Sequence, residues 1–181
     1  MKKRIIAVLA TSFAVLALAA TAAAAITITQ APAGPGYQNL SPWTCEGHSY
    51  SLANGSIRLG FGWFANNQGG LKQFFTNTHG TVDISGTDTF HDQWARSSTG
   101  SPFVTQQGIT WTSGEAGTGT TPSGSKVTGV STAYRGVLAL APGSYTLTVA
   151  MLVDKTISDG WDSYPAGTGS LTGTCSFTVT P

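Results

Sequence analysis

The chain has 181 residues and a formal net charge of +1, from 9 Lys and Arg against 8 Asp and Glu. Only 9% of its residues are charged, whereas about 25% is typical of a soluble chain. The few cations are too scattered for a nucleic-acid-binding surface, and the abundant Gly, Ser and Thr favour strands and tight turns over helices.

Residues 1–25 have the three-part pattern of a secretory signal peptide. Basic residues occupy positions 2–4, an apolar run covers 5–20, and small residues fill most of 21–25. The apolar run is short and rich in alanine, whereas a retained membrane helix needs about 20 strongly apolar residues. We therefore predict cleavage of the leader, no membrane anchor afterwards, and one secreted domain over residues 26–181 in the periplasm or outside the cell. The loss of three cations leaves this mature chain with a net charge of −2.

The first part of the mature chain predicts strands. Residues 26–29 alternate as a short first strand, and a Pro-rich arm follows over 31–42. Alternation resumes on both sides of Asn54-Gly55, with Ile57 to Trp63 placing apolar residues on one face. Because Asn-Gly between alternating segments is a strong hairpin signal, we expect a hairpin there.

A single short helix is predicted over residues 69–77. Leu71, Phe74 and Phe75 have helical spacing, and Gly80 follows as a stop signal. Because two turns are not stable alone, the two Phe rings must pack on a sheet.

The middle of the chain alternates between strand and loop signals. We expect strands at 81–90 and at 107–112, the second with Ile109 and Trp111 on its apolar face. Residues 113–125 are rich in Gly, Ser and Thr and predict a mobile surface loop.

The C-terminal third has the clearest strand pattern. Apolar residues alternate from Tyr145 to Val153, and again in a closing strand with Cys175, Phe177 and Val179. Residues 138–145 resemble the strand-turn-strand corner of many immunoglobulin-like and jelly-roll sandwiches, in which a Tyr after a Pro-Gly turn packs back on the corner. We therefore predict an all-β fold, a single antiparallel sandwich of immunoglobulin-like or jelly-roll type. This resemblance concerns the fold alone and implies no function.

Cys45 and Cys175 are the only cysteines. In an exported chain two cysteines predict a disulfide, and with one pair its connectivity is fixed.

Two groups of polar residues have the chemistry of metal ligands. Imidazole and carboxylate groups suit zinc, and five of them gather within 14 residues: His79, Asp83, Asp88, His91 and Asp92. Carboxylates around a glycine turn suit calcium, and Asp154, Asp159 and Asp162 flank Gly160. Neither group has an established ligand spacing, and polar residues at loop ends explain both. We predict no metal and no cofactor, with calcium at the second group left open.

Five tryptophans are many for this length. Trp63 and Trp111 lie on apolar faces and are expected in the core, whereas Trp94 and Trp161 lie among polar residues. Exposed aromatic rings beside polar groups can stack on sugars, so the candidate ligand face is Trp94, Trp161, Asp159 and Asp162. The alternative is that both rings anchor loops.

These observations favour a secreted, non-catalytic recognition or cell-surface-associated module with an extracellular ligand, either a carbohydrate or a protein. A carbohydrate-binding module that uses the exposed tryptophans is the first alternative. The second is a small secreted hydrolase, although the sequence has no G-x-S-x-G elbow and no marked pair of carboxylates.

Overall fold

The computed structural model describes residues 25–120, 124–167 and 171–181. The predicted signal peptide lies, apart from Ala25, outside these residues. In the described part of the chain, no helix is both long and apolar enough to cross a membrane.

The described residues form twelve strands and one α-helix. In chain order the elements are β1 (Thr27–Gln30), β2 (Gln38–Leu40), β3 (His48–Ser51), β4 (Ile57–Ala65), α1 (Gln68–Asn77), β5 (Thr78–Gly86), β6 (Phe90–Trp94), β7 (Glu115–Thr120), β8 (Lys126–Ala139), β9 (Gly143–Val153), β10 (Ile157–Ser158), β11 (Ser163–Tyr164) and β12 (Gly173–Thr180). The expectation of a mostly β chain with one short helix is therefore confirmed.

Ten of these strands form two five-stranded sheets. In the first sheet the order is β1-β8-β4-β2, with β7 also paired to β8, and in the second it is β3-β12-β9-β5-β6. The small strands β10 and β11 pair with each other. The all-antiparallel expectation is wrong, since β2 pairs with β4 in parallel and so does β3 with β12. The parallel β2–β4 pair is possible because β3, which lies between these strands in sequence, belongs to the other sheet.

The hairpin expected at Asn54-Gly55 is also wrong. A 3-10 turn over Leu52–Asn54 and Gly55 at φ +108° carry the chain from β3 in one sheet to β4 in the other. The Asn-Gly pair still marks a sharp turn, but the flanking strands find partners far away in sequence.

Helix α1 begins one residue before the predicted start and ends where predicted. The Asn67 side chain accepts a hydrogen bond from the backbone N–H of Gly70 (3.2 Å), which caps the first turn. Leu71, Phe74 and Phe75 are buried, as their spacing predicts. The chain enters β5 directly at Thr78, so Gly80 lies within a strand and does not act as the stop.

Two expectations for the middle of the chain are wrong. Residues 107–112 form no strand beyond a bridge between Val104 and Thr110, although Ile109 and Trp111 are buried. Residues 115–120, expected in a mobile loop, form β7 against β8. Pairing with a long neighbouring strand outweighs the weak strand propensity of glycine there.

Aromatic rings from both sheets meet in one core. Phe61 of β4 stacks on Tyr134 of β8 with centroids 4.8 Å apart, and lies 6.0 Å from the Trp94 ring of β6. Trp63 stacks on Phe74 of α1 at 5.2 Å, and this contact holds the helix on the sheet. The core positions predicted for Trp63 and Trp111 are confirmed.

A disulfide and a tyrosine hydrogen bond further stabilise the fold. Cys45 and Cys175 form a disulfide that joins the segment before β3 to β12, which confirms the predicted pairing. The buried Tyr145 donates a hydrogen bond to the Ala141 carbonyl (2.9 Å), so the tyrosine packs back on its corner as the resemblance implies.

Candidate functional site

The five residues considered for zinc separate into four places. His79 Nδ1 lies 3.1 Å from Asp154 Oδ2, and His91 Nδ1 lies 2.7 Å from Asp83 Oδ1 on the outer face of the β5–β6 pair. Asp88 accepts from the Tyr145 hydroxyl at 3.3 Å. Throughout the described ranges, no three His, Cys, Asp or Glu side chains come together as a metal-ion site would require.

Asp92 is a structural carboxylate within the core. It is fully buried, and its Oδ1 accepts from the backbone N–H groups of Gln93 and Gln107, each at 2.9 Å. Its Oδ2 accepts from the Tyr134 hydroxyl at 2.9 Å. Burial, followed by the negative charge of Asp92, raises the pKa of Tyr134 well above its usual range. Asp92 thus ties the two sheets and the 103–111 segment together.

The acidic residues considered for calcium also have separate roles. Asp159 is buried; its Oδ1 accepts from the backbone N–H groups of Trp161 (2.8 Å) and Asp162 (2.7 Å), and its Oδ2 from the Tyr164 hydroxyl (3.1 Å). Asp154 faces His79 instead. Burial and the bond to Asp159 raise the pKa of Tyr164 to about 12. Asp159 therefore organises the loop that presents Trp161.

The expected exposure of Trp94 is wrong. The side chains of β6 alternate, and Phe90, Asp92 and Trp94 point into the core, where Trp94 is 4% exposed. Its ring lies over Gly80 on the neighbouring strand, where an added Cβ would come within 2.5 Å of the ring. The absence of a side chain at Gly80 makes room for the indole.

Trp161 occupies the loop between β10 and β11 and is partly exposed. Its ring stacks on Phe64 of β4, with centroids 5.6 Å apart and an interplanar angle of 3°. Phe64 in turn lies against the β7–β8 pair, where Cβ atoms added at Gly119 or Gly129 would come within 3.0 Å of its ring. The β7–β8 pair, the Phe64 ring and the Asp159 carboxylate therefore fix the position of Trp161.

Two depressions meet at Trp161, and we call them together the Trp161 groove. The polar depression has a volume of about 520 Å³ and is lined by Asn66, Thr118, Lys126, Val127, Thr128 and Trp161. The aromatic depression has a volume of about 310 Å³ and is lined by Trp63, Phe64, Thr120, Val127, Asp159, Trp161 and Tyr164. Trp161 and Val127 belong to both.

Besides a depression of about 380 Å³ that includes Thr27, Ile57 and Leu138, two larger depressions lie away from Trp161. One of about 540 Å³ includes His79, Arg96, Val104 and Asp154, with one edge of Trp94. Another, of about 440 Å³, crosses the second sheet between the hydroxyls of Ser85, Ser144, Thr146, Ser176 and Thr178. Neither combines an exposed aromatic ring with amide and hydroxyl groups.

Of the residues predicted for a ligand face, Trp161 and Asp159 line this groove, whereas Asp162 lines neither depression. The other residues of the groove were not predicted. Phe64, Asn66 and Lys126 become neighbours of Trp161 only through the pairing of β4 with β8 and the return of the 157–164 loop. The alternation in β4 does show that Phe64 points away from the core, and this was the available signal. The sequence also gave no reason to single out Trp43, which is 48% exposed and packs against Gly173.

Comparison of the chain with protein-family models, curated proteins and solved structures finds no significant match.

Proposed function

We propose that this protein is a secreted, non-catalytic carbohydrate-recognition module, a single-domain β-sandwich whose ligand face is the Trp161 groove. The observation that carries the proposal is a partly exposed indole, held parallel to a second aromatic ring and bordered by amide and hydroxyl side chains. Of the two tryptophans considered for a ligand face, only Trp161 has such surroundings.

The chemistry of the groove matches the two kinds of surface that a sugar presents. The C–H face of a pyranose ring is apolar and packs on a flat aromatic surface, while its hydroxyl groups donate and accept hydrogen bonds. Asn66, Thr118 and Thr128 supply groups of both kinds beside the indole. Small-ligand sites commonly combine aromatic side chains with a few polar groups that fix the orientation of the ligand.

The groove is also preformed, because contacts within the protein hold Trp161 in place. Phe64 supports one face of the indole, and the Asp159 carboxylate fixes the Trp161 backbone. A ligand therefore loses little binding free energy to ordering the loop. Recognition through a preformed surface suits a binding module.

The same arrangement gives no support to hydrolysis at this groove. Asp159 is the carboxylate that lines it, and both of its oxygens accept hydrogen bonds from the loop. A general acid or nucleophile must instead be free to reach the substrate.

Secretion is part of the proposal and is supported by two features. The leader has the pattern of a signal peptide. The Cys45–Cys175 disulfide suggests a location outside the cytoplasm, since such bonds persist in oxidising compartments.

Glycan-array binding by the purified protein tests this function. We expect binding to polysaccharides or oligosaccharides that Trp161→Ala weakens by about tenfold or more, as for a central aromatic contact. Trp43→Ala is the matched control, because Trp43 is exposed but lines neither depression of the groove. Binding unaffected by Trp161→Ala, or weakened equally by Trp43→Ala, would contradict the proposal.

A further inference from the structure

The two ionisable acid and base side chains that line the Trp161 groove, Lys126 and Asp159, lie in different depressions. Among the residues that line the polar depression, Lys126 is the one with an ionisable side chain, and it is exposed. The carboxylate of the aromatic depression, Asp159, is occupied by three hydrogen bonds from the chain itself. Asp162 follows Trp161 in the loop but lines neither depression.

Lys126 is one of the few cations of the mature chain. The mature sequence has 6 Lys and Arg against 8 Asp and Glu, so cations are scarce. In the part of the chain that the structure describes, Arg135 pairs with Glu115, and Arg96 lies 4.0 Å from Asp154. Lys126, like Lys72, Lys155 and Arg58, forms no such ion pair there, and it lines the same depression as the amide and hydroxyl groups that border Trp161.

The two depressions adjoin each other. Because Trp161 and Val127 line both, a ligand that stacks on the indole lies next to the aromatic depression and to the depression that Lys126 lines. A single sugar ring that stacks on the indole leaves one of these depressions empty, whereas consecutive units of a chain reach into both.

We propose that the groove binds an anionic glycan chain of at least two sugar units, with a carboxylate or sulfate group beside Lys126 and a neighbouring unit in the aromatic depression. This inference rests on the proposed carbohydrate function. It adds the charge and the minimum length of the ligand.

Isothermal titration of the secreted protein with defined oligosaccharides tests the inference. The probes are oligogalacturonates of one to six units, the same oligomers after reduction of their carboxyl groups, and sulfated and unsulfated dextran oligomers. The variants are Lys126→Gln, Trp161→Ala and Lys155→Gln, the last a matched loss of one exposed lysine outside the groove.

We expect an anionic oligomer to bind more tightly than its neutral counterpart, and Lys126→Gln to weaken that binding by about three- to fivefold. The loss should shrink at high salt, since exposed charge pairs are screened. Oligomers of two or more units should bind more tightly than the single sugar. Preference for the uronate or for the sulfated series identifies the anionic group.

Two results would overturn the inference and leave the carbohydrate function intact. One is binding that depends on Trp161 but is equal for charged and neutral oligomers. The other is an equal loss from Lys126→Gln and Lys155→Gln, which would show a general charge effect. A single sugar that binds as tightly as the oligomers would reject the required length. Absence of any binding that depends on Trp161 would instead reject the proposed function itself.

Discussion

At the scale of single residues, burial separates tryptophans that look alike in the sequence. Trp94 and Trp161 both have polar neighbours in the chain, yet Trp94 points into the core from β6 while Trp161 lies on a loop. The polar residues next to Trp94 in the sequence suggested that its side chain is exposed. The alternation of buried and exposed side chains in β6 instead places Trp94 on the buried face of the strand.

The two rings should differ in their effect on stability. We expect Trp94→Ala to lower the free energy of unfolding by about 3–5 kcal/mol, the cost of removing a core aromatic. Trp161→Ala should cost roughly 1 kcal/mol, because it removes mainly the stacking on Phe64. Chemical denaturation of both variants measures the difference. Equal losses would show that Trp161 is a core anchor.

His91 gives a prediction about pH. Its hydrogen bond to Asp83 raises the pKa of its imidazole above the ordinary value of 6.5. Because the pKa is raised on folding, the pair stabilises the protein fully below pH 6.5, and this contribution is lost as the pH rises through the folded-state pKa.

An NMR titration of the His91 ring measures this shift. In Asp83→Asn the pKa should fall toward 6.5, since the carboxylate that holds the proton is gone. A pKa for His91 that is the same in both proteins would show that the 2.7 Å contact does not persist in solution.

At the scale of elements, the periodicity of apolar residues predicted the positions of several strands and of the helix. Alternation located β4, β9 and β12, and helical spacing located α1, because each buries one face against the core. The predicted hairpin at Asn54-Gly55 and the predicted loop over 115–120 were wrong for a different reason. Which strand pairs with which is settled by contacts far apart in sequence, and these override local turn and propensity signals.

The β7–β8 pair offers a matched test of how the groove is supported. Gly117 and Gly129 are cross-strand partners, but a Cβ at Gly117 would meet nothing within 4 Å, whereas one at Gly129 would come 2.3 Å from the Ala65 carbonyl and 2.9 Å from the Phe64 ring. We expect Gly129→Ala to lower the free energy of unfolding by about 1–3 kcal/mol, as for other overpacked sites.

Gly117→Ala is the control and should leave stability within about 0.5 kcal/mol of the wild type. Gly129→Ala should also change the near-ultraviolet circular dichroism of the Phe64–Trp161 stack, and Gly117→Ala should not. Similar stabilities for the two variants would mean that Phe64 does not rest on Gly129.

At the scale of the whole molecule, the disulfide joins segments 130 residues apart in sequence. Chain-entropy arguments give such a closed loop a stabilisation of about 4–5 kcal/mol. We expect the double variant Cys45→Ser, Cys175→Ser to lose an amount of that order while keeping its β circular-dichroism spectrum. Reduction of the wild type should produce the same loss. A change below about 1 kcal/mol would contradict a structural role for the bond.

The sequence predicted the β class, the helix, the disulfide and the Tyr145 corner, but neither the mixed pairing of the sheets nor the composition of the groove. The alternation of apolar and polar residues does not show whether a strand pairs in parallel, as β3 does with β12. The pattern along a strand is the same for either direction of the neighbouring strand. The groove is similar in this respect: Asn66, Lys126 and Trp161 come from three separate parts of the chain. Such groups become visible only when the fold brings them together.

In the proposed complex Trp161 contacts the ligand, whereas Trp94 and Trp111 in the core do not. Protein labelled with ¹⁵N at tryptophan gives one indole N–H signal for each of five rings, which single substitutions assign. On addition of a bound oligosaccharide, we expect a shift of the Trp161 signal and unchanged signals from Trp94 and Trp111, which are buried and line neither depression of the groove. A stationary Trp161 signal, with shifts at Trp43, Trp94 or Trp111, would contradict this contact.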